Sequence, residues 1–301
     1  MNRKAALSVL LAGVLWGIIS LFVRRLNAAG LEAMSISFVR MAVAAVVFTA
    51  FLAVTDRKKL RIRPRDWWMF AGTGVVSVVL FNWFYFTTIT RSEASVAVVL
   101  LYTSPAFVML LSALLFRERM TARKLAALGM TFAGCVLVAG LTGGGPAIGP
   151  DVLLCGLASG LFYALYTIFG RVALGRYDTM TVTAYTFLFG LAGSIPFGRA
   201  DHVAGAIAAE PELLLYCLGI GVVCTVLPYL FYTWGLARME SGLAAILVAV
   251  EPLVGAVLGM TLYQEDRSPA KLAGIALILG AILVLSRPDR VTAPSPGAGR
   301  D

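Results

Sequence analysis

The sequence predicts an all-α membrane protein of ten transmembrane helices, built from two inverted five-helix repeats. Three observations carry this. The 301 residues are 59% hydrophobic and 14% charged, with a mean hydropathy of +0.87, whereas soluble domains carry about 25% charged residues. The charges gather in short breaks between apolar runs of about 20 residues, the length a helix needs to cross a ~30 Å hydrocarbon core. The second half then repeats the first. At an offset of 147, Tyr85 meets Tyr232, Arg91 meets Arg238, Glu93 meets Glu240, Pro105 meets Pro252, Glu118 meets Glu265, and Lys124-Leu125 meets Lys271-Leu272. Before Tyr85 the offset is 146, pairing Ala12 with Ala158, Leu15 with Leu161, Arg25 with Arg171 and Met34 with Met180. Open strands would leave backbone groups unsatisfied in lipid, so the segments must be helices.

The first segment, 5–23, follows Met1-Asn2-Arg3-Lys4. A basic start before an apolar run also opens a secretory signal. This run is longer than a signal h-region, closes on Arg24-Arg25 and has a repeat partner mid-chain, so it reads as a retained span. Segment 34–54 leads into the basic loop Arg57-Lys58-Lys59-Leu60-Arg61-Ile62-Arg63-Pro64-Arg65. Segment 67–88 holds the aromatic run Phe81-Asn82-Trp83-Phe84-Tyr85-Phe86, and 95–115 holds Ser104-Pro105. Segment 122–141 ends at the joining loop 141–150, which is uncharged and rich in Gly and Pro. Segments 152–169 and 180–197 open the second copy. A polar loop with the single histidine, His202, precedes 213–234; segments 241–262, carrying Glu251-Pro252, and 269–285 complete the set. The expected units are a first repeat over 1–144, a second over 145–287, and a disordered cytoplasmic tail over 288–301 with Pro294-Ser295-Pro296-Gly297.

Lysine and arginine set the orientation. Arg3, Lys4, the 57–65 loop, Arg117, Arg119, Arg123, Lys124, Arg171, Arg176, Arg238, Arg287 and Arg290 all fall on one side of a ten-span chain. The other side has Arg24, Arg25, Arg91, Arg199, Arg267 and Lys271. Both termini are therefore expected in the cytoplasm, and the net charge of +9 is an orientation charge. The basic loop could also touch anionic lipid heads; nucleic acid need not be invoked. Five spans per copy is odd, so the second copy enters the membrane from the opposite face. A duplicated, hydrophobic, loop-poor chain of this kind is the signature of a secondary transporter, with its site near mid-membrane between the halves.

Three stretches resemble the EamA family of the drug/metabolite transporter superfamily. They are Leu15-Trp16-Gly17; Ser104-Pro105 through Phe116-Arg117-Glu118-Arg119-Met120-Thr121; and Glu251-Pro252 through Tyr263-Gln264-Glu265-Asp266-Arg267-Ser268-Pro269, followed by Leu272-Ala273-Gly274. The resemblance implies a ten-helix, basket-shaped carrier with a central cavity, which moves amino acids, metabolites or toxic compounds, mostly outward, across a bacterial inner (plasma) membrane. Phe116-Arg117 and Tyr263-Gln264 replace the more usual Leu-Gly before the Glu, and the aromatic run at 81–86 is unusual for the family.

Glu251 sits midway along its segment, opposite Ser104 in the first copy. A carboxylate at that depth costs several kcal/mol if ionised and unpaired. It is either a proton or solute site, or an acid tied to a neighbouring helix. Arg40 lies inside the second segment, opposite Thr186. It either holds a solute carboxylate, pairs with Glu251 or Glu93, or snorkels to the lipid interface. Pro105 and Pro252 break a helix at the same depth in both copies, as gates or as static kinks. Asn82 with Tyr85, Tyr163 with Tyr166, Tyr229 with Tyr232 and Trp16 with Ser20 share helix faces. Of these, Trp16, Asn82, Tyr85, Tyr163, Tyr166 and Tyr229 join Arg40, Tyr102, Ser104 and Glu251 in the expected solute-binding set, a lining suited to amphipathic solutes. Tyr232 and Trp234 read as interfacial-belt residues, Asn82 equally as helix glue, and Gly72-Thr73-Gly74, Gly129 with Gly134, and Gly219 with Gly221 as close-packing sites. Cys135, Cys155, Cys217 and Cys224 form no Cys-x-x-Cys pair and read as small core residues.

No phosphate-cradling Gly-x-x-x-x-Gly-Lys motif supports ATP drive, and no cofactor is called for. Expected partners are a small-molecule solute, membrane lipids and, as a coupling ion, the proton. The rival readings are a sugar-phosphate or nucleotide-sugar antiporter, which needs several cations in the cavity, and an integral-membrane enzyme, which needs clustered acids, histidines or a nucleophile.

Overall fold

A computed structural model describes residues 2–92, 94–141, 149–262 and 268–286. Among these residues the chain is helical, with no strand. Its helices are α1 (Arg3–Ala28), α2 (Ala33–Thr55), α3 (Pro64–Arg91), α4 (Val96–Phe116), α5 (Ala122–Val138), α6 (Pro150–Leu174), α7 (Thr179–Phe197), α8 (Ala200–Ala209), α9 (Leu213–Leu236), α10 (Ser241–Leu262) and α11 (Pro269–Ser286). All but α5, α8 and α11 are long and apolar enough to cross a membrane, which makes eight of the ten expected spans. α5 has 17 residues, so it is about 25 Å long at 1.5 Å per residue. It starts at the expected residue, capped by Thr121, but ends at Val138, because the chain turns at Gly140, which takes a φ of 76°. α8 corrects the expectation of a loop around His202. The Glu93 position, the 263–267 part of the repeated turn, residues 142–148 of the joining loop and the 288–301 tail lie outside the described residues.

Each half packs on the other in a reciprocal pattern. α1 lies on α9 and α3 on α6; α1 also lies on α10 and α4 on α6; α2 meets α7, α4 meets α10, and α5 meets α11. Exchanging the repeat-equivalent helices returns the same set of pairs. Small residues allow these approaches. A Cβ built on Gly134 of α5 would lie 2.8 Å from the Gly274 carbonyl oxygen of α11. Gly13 and Gly17, one turn apart on α1, face Val248, Val250, Glu251 and Val254 of α10, and Gly156 and Gly160 of α6 face Leu100, Leu101 and Thr103 of α4. This is small-xxx-small packing, placed in each half against a broken helix of the other. The predicted close-packing role of Gly74 holds, since a Cβ there would overlap the α7 backbone; nothing within 4 Å meets a Cβ built on Gly129.

The breaks lie where proline predicts them. α4 is interrupted at Tyr102 and Thr103 and resumes over Ser104–Phe116, with Pro105 in its first turn. α10 runs over Ser241–Leu247, passes through a 3-10 turn at Val248–Val250 and resumes at Glu251, just before Pro252. Proline cannot donate to the preceding turn, but it is favoured at the start of a helix. Two further interruptions are π segments; the one in α9 is followed by Pro228 in the first turn of the resumed helix, while the one in α3 has no such proline. α3 is a π-helix over Gly72–Val79, and α9 over Val222–Val226. These are overlapping positions of the repeat, and π segments recur at functional sites. Ser77 Oγ donates to the Gly72 carbonyl at 2.8 Å and Thr225 Oγ1 to the Ile220 carbonyl at 3.0 Å, each five residues back. These side chains occupy carbonyls that the widened turns present.

Candidate functional site

A cavity of about 250 Å³ opens where the break of α10 faces α1. Glu251, Pro252, Trp16, Gly17, Tyr85 and Tyr102 line its inner part. It extends past Ser20 and Arg24 on α1, Val98 on α4 and Gly259 on α10. These positions run toward the helix ends opposite the basic loops. Gly17 sets the geometry: a Cβ there would fall 2.8 Å from the Glu251 carbonyl oxygen, so only glycine lets α1 approach the start of the resumed helix. Glu251 stands in the first turn of that helix, its own backbone N–H donating to the Val248 carbonyl. Tyr102 lines the same cavity, so the break in α4 stands beside the acid at the break in α10. One acid and an aromatic wall can hold an ammonium group or a proton beside an apolar body.

An aromatic cluster closes the inner side. Trp16 meets Tyr229 edge-on, with centroids 5.0 Å apart, and Tyr229 meets Tyr166 at 5.1 Å and Phe187 at 4.9 Å, both edge-on. Tyr163 meets Phe81 at 5.1 Å. A cavity of about 20 Å³ lies among Trp16, Phe81, Tyr163, Tyr166, Tyr229 and Tyr232. The Tyr166 hydroxyl bonds with Thr233 Oγ1 and the Tyr232 hydroxyl with Thr167 Oγ1, each at 2.7 Å. Tyr232 is therefore an interior residue, 3% exposed, and not a belt residue. The belt expectation fails because α1 and α6 cover that side of α9. Trp234 keeps a partly exposed position, with the Arg238 guanidinium 3.9 Å over its ring.

Arg40 does not snorkel and does not meet Glu251. Its Nε donates to Thr225 Oγ1 at 2.9 Å and its Nη2 to the Cys224 carbonyl at 3.4 Å. Another cavity of about 20 Å³ lies beside it, lined also by Ser37, Phe81, Asn82, Thr225 and Tyr229. The Asn82 amide donates to the Val78 carbonyl at 2.7 Å, one turn back on its own helix, so it is not glue between helices. Glu93, the other expected partner of Arg40, lies outside the described residues.

The predicted set therefore divides. Trp16, Tyr85, Tyr102 and Glu251 share the large cavity. Tyr163, Tyr166 and Tyr229 line the inner aromatic cavity, and Arg40, Asn82 and again Tyr229 line the third. Ser104 is buried at the restart of α4 and lines none of these three. Gly17, Thr225 and Phe81 were missed as site residues. Only Gly17 carried a signal, through its four-residue spacing from Gly13. The four cysteines are free; Cys135, Cys217 and Cys224 are buried, as expected of core residues, and Cys155 is half-buried.

At the end carrying the basic loops, polar contacts join the helices. Glu118 accepts from the backbone of Ser241 and Gly242, Lys124 pairs with Glu240, and Arg176 and Tyr177 hold Asp66 at 2.5 and 2.6 Å. At the other end Arg25, an exception to the charge pattern, pairs with Glu210 at 2.6 Å.

A family model described as the EamA-like transporter family matches residues 3–140 and again 152–287, so the internal duplication is a duplication of one family unit. An uncharacterized transporter of Archaeoglobus fulgidus is 28% identical over 293 residues, 95% of this chain and 97% of its own. The uncharacterized inner membrane transporter YicL of Salmonella typhimurium is 26% identical, covering 96% and 97%. A probable terminal-alkyne amino-acid exporter of Streptantibioticus cattleyicolor is 26% identical, covering 94% of each chain. A solved crystal structure superposes with a TM-score of 0.76 over 95% of this chain and 97% of its own, at 21% identity, and shares the fold.

Proposed function

This chain belongs to the EamA-like transporter family, and from that premise we propose that it exports small organic solutes, such as amino acids or amphipathic metabolites, by alternating access. The observation that carries the reading is the 250 Å³ cavity at the α10 break, with Glu251 and Tyr102 at its floor. Drug-sized ligands take pockets of about 300–1,000 Å³, so this one suits a smaller solute. Its one acid, with Arg24 farther out along α1, complements a zwitterion or an amine more than a phosphate ester. That weighs against a sugar-phosphate antiporter. The relative named as an amino-acid exporter supports the same solute class and direction.

The reciprocal packing of the two halves supports an inverted duplication with ten crossings and both termini in the cytoplasm. α5 would then cross a locally thinned core. Pro105 and Pro252 would flex as the halves exchange conformations, while the polar contacts at the basic end keep the cytoplasmic side closed. The test is uptake into proteoliposomes of a panel of amino acids, amines and sugar phosphates, with wild type beside Glu251→Gln. Saturable movement of amino acids or amines that depends on Glu251 supports the reading. Movement of sugar phosphates alone would overturn it.

A further inference from the structure

Arg40 is a cation inside a spanning helix, seven residues from its start. Its two hydrogen-bond partners are a hydroxyl and a carbonyl, both neutral. Among the described residues no carboxylate forms an ion pair with it. An unpaired charge in a low-dielectric interior is costly, and five guanidinium N–H groups are only partly used by these two bonds. The Thr225 hydroxyl cannot serve as a donor to anything else, since it accepts from Arg40 and donates to the Ile220 carbonyl.

The adjoining cavity is matched to that deficit. Its lining offers the hydroxyls of Ser37 and Tyr229 and the amide of Asn82, and no acid. At about 20 Å³ it exceeds the ~10–15 Å³ that admits one water molecule. It is too small for a whole metabolite. We propose that this cavity is a binding site for a small monovalent anion, of the size of a carboxylate end or a halide, and that Arg40 is its charge partner.

Two sources of such an anion exist. One is the carboxylate of the carried solute, a version that rests on the proposed function. The Arg40 cavity shares Phe81 and Tyr229 with the inner aromatic cavity, which shares Trp16 with the Glu251 cavity. A zwitterion could therefore be gripped at its two ends once Trp16 and Tyr229 shift. The other source is inorganic halide, which would serve as a fixed counter-ion.

The experiment is thermal unfolding of the purified full-length protein in detergent, at constant ionic strength. Sodium isethionate, a sulfonate larger than the cavity and without a carboxylate, is replaced stepwise by sodium chloride, bromide or acetate. Wild type should gain stability saturably. Arg40→Gln should raise the half-saturating concentration about tenfold or more, the loss expected for a charged hydrogen-bonding partner, while Arg40→Lys should restore most of it. If Arg40→Gln fails to fold, Ser37→Val fills the cavity with the charge retained and should also abolish the response. A halide source gives the response with chloride and bromide. A solute source gives it with acetate, and in proteoliposomes Arg40→Gln then narrows the preference for an amino acid over its decarboxylated amine. An equal response of wild type, Arg40→Gln and Ser37→Val to every anion, or none in any of them, would overturn the proposal. An anion response without transport of any solute would instead sink the proposed function and leave the site standing.

Discussion

The Glu118 carboxylate of the first half caps the helix that starts at Ser241 in the second: Oε1 accepts from the Ser241 N–H at 2.8 Å and Oε2 from the Gly242 N–H at 3.2 Å. Ser241 is fully buried, so these donors have no water to turn to. Glu118→Ala should destabilise the protein by about 1–3 kcal/mol, the cost of leaving buried donors unsatisfied. It should also speed impermeant-thiol labelling of a cysteine placed at Ala244, reached from the basic end. An unchanged labelling rate would show that this contact does not hold that end shut.

Orientation is tested at exposed sites in a Cys155→Ser background. Lys58 is exposed at the basic end, and Asp151 is exposed at the other. Lys124 is 9% exposed and paired with Glu240, which makes it a poor labelling site. In intact cells an impermeant thiol reagent should modify Asp151→Cys and spare Lys58→Cys until the cells are opened. The reverse pattern would invert the topology.

Coupling is tested at Glu251. The Glu251→Gln variant keeps a neutral hydrogen-bonding group beside Tyr102. Uphill accumulation driven by a pH gradient should fall to the passive level, while exchange of solute down its own gradient survives. A mutant that still concentrates solute would remove Glu251 from the coupling step, and loss of both modes would make it a solute ligand. Tyr102→Phe removes the hydroxyl that shares the cavity with Glu251 and should weaken solute affinity about tenfold, the loss expected for one hydrogen bond to a charged group.

Gly17→Ala tests whether close approach builds the cavity. The added Cβ would lie 2.5 Å from Val254 Cβ and 2.8 Å from the Glu251 carbonyl oxygen. Overpacking of this kind costs about 1–3 kcal/mol. Both the melting temperature and transport should drop. Gly129→Ala on α5, an exposed helical site where nothing lies within 4 Å, should leave transport unchanged and raise the melting temperature slightly, since alanine favours the helix by about 0.5–1 kcal/mol.

Much of the fold was readable along the chain. Hydropathy and charge are one-dimensional signals, and they located the apolar helices and the duplicated plan because the bilayer imposes length and polarity on each segment separately. Proline acts within a turn of itself, so the breaks at Pro105 and Pro252 were legible. Glu251 stood out because an acid at that depth has few uses. Tertiary structure alone decided what depends on which surfaces meet. Tyr232 sits at a depth that also suits a belt residue, and only the cover of α1 and α6 makes it interior. Arg40 and Glu251 line separate cavities, each of which shares a ring, Tyr229 or Trp16, with the inner aromatic cavity. The α3 π segment carries no proline signal, and Gly17 matters only because α10 starts again against it. Depth is set by each segment's own composition; facing and pairing are set by the partner helix, which no local pattern encodes.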